Sequence, residues 1–258
     1  EKYTTYLRSN KNNNGGIGVR MRTIRALYND AMNKGVVKEE YYPFKKFKVS
    51  QFKSKGKKRA LSRADVKKIE KLDTNKYPHL TDAKNYFLFS YYTRGMNFID
   101  MMKLTWSDIQ DNKIYYIRNK TKKPFVIEVL PPTQKILNYY KLQNRDTNYV
   151  LPLILRENLT PIQLEYRKAK TLQAYNIKLK EIAKTVGISQ NVSSYVSRHS
   201  FATNLKHAGV STDLISQSMG HSDVNITNSY LKEFENSTVD DAVKKLLEET
   251  QVEYSLAV

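Results

Sequence analysis

The sequence predicts a mainly α-helical protein with one small antiparallel β-hairpin. Two observations favour this fold class. Apolar residues recur at helical spacing through most of the chain, and two short runs, residues 114–118 and 125–129, combine β-branched and aromatic residues around a turn. With 258 residues, 40% of them hydrophobic, the chain can bury a substantial core and is expected to form one or two domains.

The first 52 residues are expected to form a small helical domain. One helix is predicted over residues 18–34, between a turn at residues 12–18 and a stop at Gly35. The apolar stripe of this helix consists of Met21, Ile24, Leu27, Tyr28 and Ala31. Two or three short helices make a thin core, so we expect this domain to be partial, as though truncated at its N-terminus.

Basic charge is concentrated at this end of the chain. The net charge is +19, and residues 1–59 carry 16 basic and four acidic side chains. Residues 53–59 have no apolar side chain and are predicted to be a flexible basic linker. Such an excess indicates a polyanionic partner whose phosphates the protein contacts. The candidate contact residues are Arg20, Arg22, Arg25, Lys53, Lys55, Lys57, Lys58 and Arg59.

A second, larger domain is predicted over residues 60–236. Ser62 and Asp65 form a capping box that opens a helix burying an apolar stripe. The stripe consists of Val66, Ile69 and Leu72. Further helices are predicted over residues 86–92, 98–104, 133–143, 161–174, 176–186, 195–207 and 211–219. Glycines that stop helices are predicted at Gly187, Gly209 and Gly220.

The tail, residues 237–258, contains an amphipathic helix predicted over residues 237–249. Residues 231–258 carry three basic and seven acidic groups, so this tail is not expected to contact the polyanionic partner. Its apolar stripe either folds back on its own domain or docks on a neighbouring subunit.

The composition also narrows the chemistry and the location. The absence of cysteine excludes disulfides, thiolate metal sites and a cysteine nucleophile, and we predict neither a metal nor a cofactor. No uncharged apolar run approaches the roughly 20 residues of a membrane span, and residues 1–20 lack the core of a signal peptide. We therefore expect a soluble, cytoplasmic protein with no membrane partner.

A specific motif lies near the end of the larger domain. The run Arg-His-Ser-Phe-Ala-Thr begins at Arg198, the pair Gly220-His221 follows, and Tyr230 comes nine residues after that histidine. This pattern resembles the signature of the tyrosine recombinases of the phage integrase family. Weaker similarity extends over about residues 60–235.

The resemblance implies a site that cuts a phosphodiester bond through a covalent intermediate. Tyr230 is the implied nucleophile, which forms a 3′-phosphotyrosyl link, while Arg198 clamps the scissile phosphate. His221 is the implied hydrogen-bond donor to that phosphate. Lys120, at the hairpin tip, matches the family's general acid, although two other tip lysines are its rivals. The residue types fit this chemistry, which without a metal needs a nucleophile, cations and a proton donor. The remaining histidines are interpreted as structural: His79, His199 and His207.

Two positions depart from the family pattern. Asn97 stands where the family has its first catalytic arginine, and Tyr195 where it usually has a histidine. A similar departure occurs in a divergent branch of the family that is associated with mobile elements. As the replacement we prefer Arg118, at the end of the first hairpin strand, over Arg94, one helical turn before Asn97. The alternative for Arg94 is an ion pair with Asp100 or a contact with the DNA backbone.

We therefore expect a site-specific recombinase that integrates or excises a mobile element. Its partner would be double-stranded DNA with specific recombination sites, on which four copies of the chain assemble, whereas the free protein is a monomer. Residues 1–52 would then be a core-DNA-binding domain and residues 60–236 the catalytic domain, in a bacterial-type, nucleoid-associated protein. The C-terminal helix would pass to a neighbouring subunit.

Two other functions are left open by the sequence. One is a type IB topoisomerase, which shares the tyrosine chemistry but relaxes DNA alone. The other is a non-catalytic DNA-binding regulator, in which residues 208–230 act as a helix-turn-helix reader.

Overall fold

The computed structural model describes residues 1–53 and 59–220, which fall in two compact units, Glu1–Lys57 and Lys58–Val258. The division between the units lies inside the segment that the sequence predicts to be a linker. The helix predicted over residues 237–249 lies outside the described residues.

The first unit is helical. Helix α1 spans Lys2–Ser9 and α2 spans Asn14–Asn33, and three 3-10 turns follow over Glu39–Tyr41, Pro43–Lys45 and Val49–Phe52. Their buried apolar side chains form a small core of Leu7, Ile17, Met21, Phe44, Val49 and Phe52.

Helix α2 begins earlier than its apolar periodicity predicts, and the predicted turn over residues 12–18 is wrong. Asn13 caps the helix, because its side-chain oxygen accepts a hydrogen bond from Gly16 N at 2.9 Å. Gly18 lies inside the helix against Phe52, whose carbonyl oxygen would be 3.1 Å from a β-carbon at this position. The glycine that suggests a turn therefore serves close packing.

Leu27 was predicted to lie on the buried stripe of α2, and this prediction is wrong, since its side chain is 64% exposed. The stripe that packs on the core is narrower and consists of Ile17, Met21, Ile24 and Tyr28. These residues follow a spacing of four, three and four residues, and position 27 falls beside that line.

The second unit is mainly helical with a small sheet, which confirms the predicted fold class. Its helices are α3 (Arg63–Glu70), α4 (Thr81–Tyr92), α5 (Phe98–Lys103), α6 (Pro131–Lys141), α7 (Pro161–Thr185), α8 (Val196–His207) and α9 (Thr212–Met219). Its strands are β1 (Ile109–Gln110), β2 (Lys113–Ile117) and β3 (Pro124–Glu128). The predicted cap of α3 is present, because Ser62 Oγ accepts from Asp65 N at 3.1 Å.

Helix α4 lies at the centre of this unit and packs against α3, α6, α7 and α8. It is buried on nearly all sides, so its apolar residues form an almost continuous run instead of a stripe. Ser90, which is 2% exposed, faces α8, where its hydroxyl lies 2.8 Å from that of Ser197.

The three strands form an antiparallel sheet in the order β1-β2-β3. Ile114 pairs with Ile127 on the face that packs on the core, and both side chains are buried. Tyr115 and Val126 pair on the opposite face and are exposed. Because side chains alternate along a strand, the residues at even positions of β2 point towards the core.

Helix α7 is one continuous helix of 25 residues, so the two helices predicted over residues 161–174 and 176–186 are wrong. Neither proline nor glycine interrupts its interior. Tyr175, at the predicted break, is 3% exposed and packs edge-on against Tyr86 with ring centroids 5.5 Å apart. The core therefore continues across the position where the apolar periodicity weakens.

None of the helices in the described part of the chain is both long enough and apolar enough to cross a bilayer.

Candidate active site

Arg198 lies in the first turn of α8 and is 4% exposed. Its Nη1 donates to the Gly95 carbonyl oxygen and its Nη2 to the Met219 carbonyl oxygen, both at 2.7 Å. Gly95 has a φ of 69°, and a β-carbon there would lie 2.8 Å from Arg198 Cγ. Only glycine allows the backbone of the turn after α4 to lie this close to Arg198, so the turn packs directly against the Arg198 side chain.

Arg118, one residue after β2, is also buried, with 6% of its surface exposed. Its Nη1 donates to the Met219 carbonyl oxygen at 3.1 Å and to the Gly220 carbonyl oxygen at 2.6 Å. The last carbonyls of a helix carry partial negative charge, which favours a cation at that end. Arg118 and Arg198 therefore share one acceptor at the C-terminus of α9.

Asp100 is buried beside these arginines, with 5% of its surface exposed. Its Oδ1 accepts from the Asn119 backbone N at 2.8 Å, and its carboxylate hydrogen-bonds the Asn97 side chain. Burial raises the pKa of this carboxyl, and the charges of Arg118 and Arg198 act in the opposite direction. Asp100 thus ties the hairpin loop to the start of α5, close enough to the two arginines to feel their charges.

Two buried hydroxyls join the loop before α5 to α8. Ser90 Oγ donates to the Met96 carbonyl oxygen at 2.8 Å and contacts Ser197 Oγ at the same distance. Met96 precedes Asn97, and Ser197 precedes Arg198, so this contact fixes the Asn97 backbone relative to the arginine.

A cavity of about 400 Å³ opens beside Arg198. Its polar lining includes Asn97, Lys103, Asn119, Lys168, Tyr195 and Arg198. The carboxylate of Glu165 also lines the cavity and pairs with Lys168, so the groups that can bind an anionic oxygen such as a phosphate are the other cations and the amides.

Lys103 and Lys168 are cavity residues that the sequence did not predict. Lys103 Nζ donates to Asn119 Oδ1 at 3.4 Å, and Lys168 pairs with Glu165 on α7. No motif includes them, since they come to the cavity through the packing of α5 and α7. Their only signal in the sequence is their positive charge.

The hairpin lysine lies where the sequence places it, at an exposed tip. Lys120 is exposed in the loop between β2 and β3, which closes through a hydrogen bond from Arg118 N to the Lys123 carbonyl oxygen at 2.9 Å. Its rival Lys122 is also exposed and has a φ of 54°.

Two other predicted site residues, Tyr195 and Arg94, differ in their surroundings. Tyr195 precedes α8 and is 45% exposed, and its ring meets the His199 ring edge-on, with centroids 4.7 Å apart. Arg94 lies in the turn between α4 and α5 with a φ of 57°, so it is not on one helical turn with Asn97 as predicted. The alternative that Arg94 forms an ion pair with Asp100 is wrong within the described residues, and the charges of Arg118 and Arg198 act to lower the pKa of Asp100 against the effect of burial.

Several predicted DNA-contacting residues are exposed: Arg20, Arg22, Arg25, Lys53 and Arg59. The first three project from α2, off its buried stripe, as predicted. The remaining predicted site residues lie outside the described residues: Lys55, Lys57, Lys58, His221 and Tyr230.

Two family models match the chain. The phage integrase family model matches residues 59–237, and the phage integrase SAM-like domain model matches residues 1–49. The larger match covers more than half of the chain and includes both His221 and Tyr230. The chain therefore belongs to the phage integrase family, the family that its motif resembles.

Two curated relatives are tyrosine recombinases from Rickettsia. Tyrosine recombinase XerC of Rickettsia canadensis (strain McKiel) is 26% identical over 180 residues, which are 67% of this chain and 55% of that protein. Tyrosine recombinase XerD of Rickettsia bellii (strain RML369-C) is 27% identical over 150 residues, 54% of this chain and 48% of that protein. The chain spans about half the length of these relatives.

Solved structures share the fold at lower sequence identity. A lambda integrase (75-356) dimer bound to a COC′ core site has a TM-score of 0.62 at 16% identity, over 88% of this chain and 76% of that one. A Tn1549 transposon integrase in complex with a circular intermediate DNA has a TM-score of 0.61 at 16% identity, over 89% and 78%.

Proposed function

We propose that this protein cuts and rejoins double-stranded DNA at specific sites through a covalent tyrosine intermediate. The observation that carries the proposal is the pair of buried guanidinium groups, Arg118 and Arg198, that meet at the Met219 carbonyl. They lie at the end of α9, directly before the Gly-His pair of the family motif. Fixed cations of this kind stabilise charge that develops on a phosphate during cleavage.

In the proposed reaction, the Tyr230 hydroxyl releases its proton to water as its oxygen forms a bond to the scissile phosphorus, and the bond from phosphorus to the 5′ oxygen breaks. Lys120 gives a proton to that leaving oxygen, and the phosphodiester energy is kept in the phosphotyrosyl link. Attack by a 5′ hydroxyl on this link reverses the steps and rejoins a strand. The reaction therefore consumes no ATP.

The other roles follow the family resemblance. Arg198 clamps the phosphate through its planar fork, and His221 donates a hydrogen bond to it. Tyr195, at the usual histidine position, also lines the cavity next to Arg198 and can donate one hydrogen bond.

Arg118 is the preferred replacement for the missing first arginine. Its buried guanidinium is fixed by the Met219 and Gly220 carbonyl oxygens at the end of α9. It also shares the Met219 acceptor with Arg198, whereas Arg94 lies in a turn and has no such link. The alternative remains that Arg94 contacts the DNA backbone.

The proposal extends to partners and context. The exposed arginines of α2 would hold the duplex, and four copies of the chain would form the recombining complex from free monomers. Residues 1–52 would act as the core-binding domain, residues 60–236 as the catalytic domain, and the C-terminal helix would pass to a neighbour. A cytoplasmic protein at the nucleoid that moves a mobile element fits these roles.

The test is covalent capture on a nicked substrate. Duplexes selected for binding from a random pool would carry a nick beside each candidate cleavage point, so that the released fragment diffuses away. The wild type should form a protein-DNA adduct, and Tyr230→Phe should form none. Tyr139→Phe, at a tyrosine that is 42% exposed on α6, is the matched control and should react as the wild type does.

The outcomes separate the three functions left open by the sequence. An adduct that persists in Tyr230→Phe, or tight binding with no adduct from the wild type, would contradict the proposal; the second result favours a DNA-binding regulator. Relaxation of supercoiled DNA without strand exchange or junctions favours a topoisomerase.

A further inference from the structure

The last residue of the described chain, Gly220, is in close contact with an aromatic ring. Gly220 follows α9 with a φ of 65° and a ψ of 36°, in the left-handed region. A β-carbon there would lie 2.1 Å from Phe125 Cζ, and 2.9 and 3.1 Å from the two neighbouring ring carbons. The tip of the Phe125 ring therefore touches the Gly220 backbone.

This contact limits how close the end of α9, with the carbonyl groups that hold the arginines, can come to β3. The Met219 carbonyl accepts from Arg118 and Arg198, and the Gly220 carbonyl accepts from Arg118. If the ring moved towards the glycine, both acceptors would move with the end of α9. The two guanidinium groups would then lose their common anchor.

Phe125 is itself held by its partner across the hairpin. Its ring stacks on Tyr116, with centroids 5.3 Å apart and an angle of 25° between the planes. Burial raises the pKa of the Tyr116 phenol to about 12, so this ring stays neutral beside the arginines at physiological pH. The stacked pair is therefore an uncharged support between the hairpin and the end of α9.

We propose that Phe125 is a positioning residue for strand cleavage, which acts by fixing the Met219 and Gly220 carbonyls against the two arginines. This inference rests on the proposed function. Phe125 lies in β3, outside the integrase motif, so the motif does not predict this role.

Because the tip of the ring points at Gly220, substitutions that lengthen or remove the tip distinguish a positioning role from simple packing. A tyrosine at position 125 would add a hydroxyl at Cζ, the atom closest to Gly220, and would push the end of α9 away. If Phe125 only filled the core, tyrosine would be among the mildest replacements. Leucine keeps an apolar side chain but has no atom at the ring tip, so it leaves Gly220 unobstructed.

The experiment measures single-turnover cleavage of the nicked substrate and, separately, the affinity for the same DNA. Phe125→Tyr should slow cleavage by ~10²-fold with unchanged affinity, as expected for a displacement of about 1 Å in a catalytic group. Phe125→Leu removes the support without pushing α9 away, so it should cleave more slowly than the wild type but faster than Phe125→Tyr. Val126→Ala, at the next residue of β3 on the opposite face, is the matched control and should retain the wild-type rate.

A double substitution tests the contact directly. Gly220→Ala should slow cleavage severely, because its methyl group meets the ring as well as an unfavourable φ. Phe125→Ala removes the ring, so Phe125→Ala/Gly220→Ala should cleave faster than Gly220→Ala alone. This comparison carries the test if thermal unfolding shows that Phe125→Tyr does not fold.

Three results would overturn the inference: wild-type cleavage by folded Phe125→Tyr, a loss of DNA affinity equal to the loss of rate, or no rescue in the double variant. Failure of the proposed function is distinct, because then neither the wild type nor Val126→Ala forms an adduct.

Discussion

The arginines of α2 and the two arginines that bind the carbonyl groups at the end of α9 differ in their exposure to solvent. Arg20, Arg22 and Arg25 are exposed on a helix of the small unit, whereas Arg118 and Arg198 are at most 6% exposed. An exposed cation is screened by salt and keeps its side-chain freedom. A buried guanidinium is tolerated because carbonyl oxygens hold it, and the same bonds fix its direction.

This difference separates two uses of positive charge. The exposed set is suited to holding a polyanion from many angles, and the buried pair to stabilising one phosphate in one geometry. Under the proposed function, the net charge of +19 would therefore combine a contribution to DNA affinity with a contribution to the cleavage rate.

The largest effect is expected at Arg198. Arg198→Ala should lower the single-turnover cleavage rate by ~10³-fold or more, because phosphoryl transfer depends strongly on such a cation. Arg198→Lys keeps the charge but not the planar fork, so it should recover only a small part of the rate. DNA affinity should change much less than the rate in both variants. Equal losses of affinity and rate would mean that Arg198 serves DNA binding, as proposed for the exposed arginines of α2.

The next effect decides between Arg118 and Arg94. Arg118→Ala should slow cleavage by ~10²-fold or more, and Arg94→Ala by much less, since only Arg118 is anchored beside Arg198. Asn97→Arg should restore part of the rate in the Arg118→Ala background, because Asn97 lines the cavity next to Arg198. A larger loss from Arg94→Ala than from Arg118→Ala would reverse the assignment.

A smaller effect is expected from the exposed set. Arg20→Gln/Arg22→Gln/Arg25→Gln should weaken DNA binding and lower the slope of log affinity against log salt by roughly one for each lost phosphate contact. The cleavage rate on saturating DNA should not change. Lys34→Gln, at an exposed lysine that pairs with Asp30 after α2, is the control. A changed rate at saturation would mean that these arginines also affect the chemistry.

The smallest effect concerns Asp100, the buried carboxyl that feels the charges of both arginines. Burial raises the pKa of Asp100 above its ordinary value of 3.8, so the folded protein binds this proton more tightly than the unfolded chain does. As the pH falls through the window from the raised pKa to 3.8, the wild type should therefore gain stability relative to Asp100→Asn. The gain is about 1.4 kcal/mol for each pH unit between the two pKa values.

Urea unfolding of both proteins across that window measures the Asp100 effect. A difference in unfolding free energy that stays flat, or that favours Asp100→Asn at lower pH, would contradict it.

Local signals in the sequence predict much of the fold. The Ser62 cap, the β2-β3 hairpin and the glycine stop after α9 are each specified within a few residues, and all three are confirmed. The errors occur where tertiary packing decides. Tyr175 keeps α7 continuous because it is buried between other aromatic rings, and Leu27 is exposed because the small core covers only a narrow stripe.

The candidate site divides in the same way. The motif around Arg198 is contiguous and easily recognised, and it led to the family to which the chain belongs. The link between Arg118 and Met219 joins residues 101 positions apart, so no local pattern encodes it. Lys103 and Lys168 reach the cavity through helix packing alone. The roles of Tyr230, His221 and Lys120 stay predictions.

The hydrogen bonds of the loop between β2 and β3 also determine how much conformational entropy its tip residues can still lose on binding a ligand. Asn119 N is bonded to Asp100, Lys122 N donates to the Arg118 carbonyl oxygen, and Arg118 N donates to the Lys123 carbonyl oxygen. Fixing the backbone of a residue costs roughly 1–2 kcal/mol in conformational entropy, and here most of that loss accompanies folding. If a lysine of the tip engages a phosphate as proposed, mainly its side-chain rotamers would remain to be ordered.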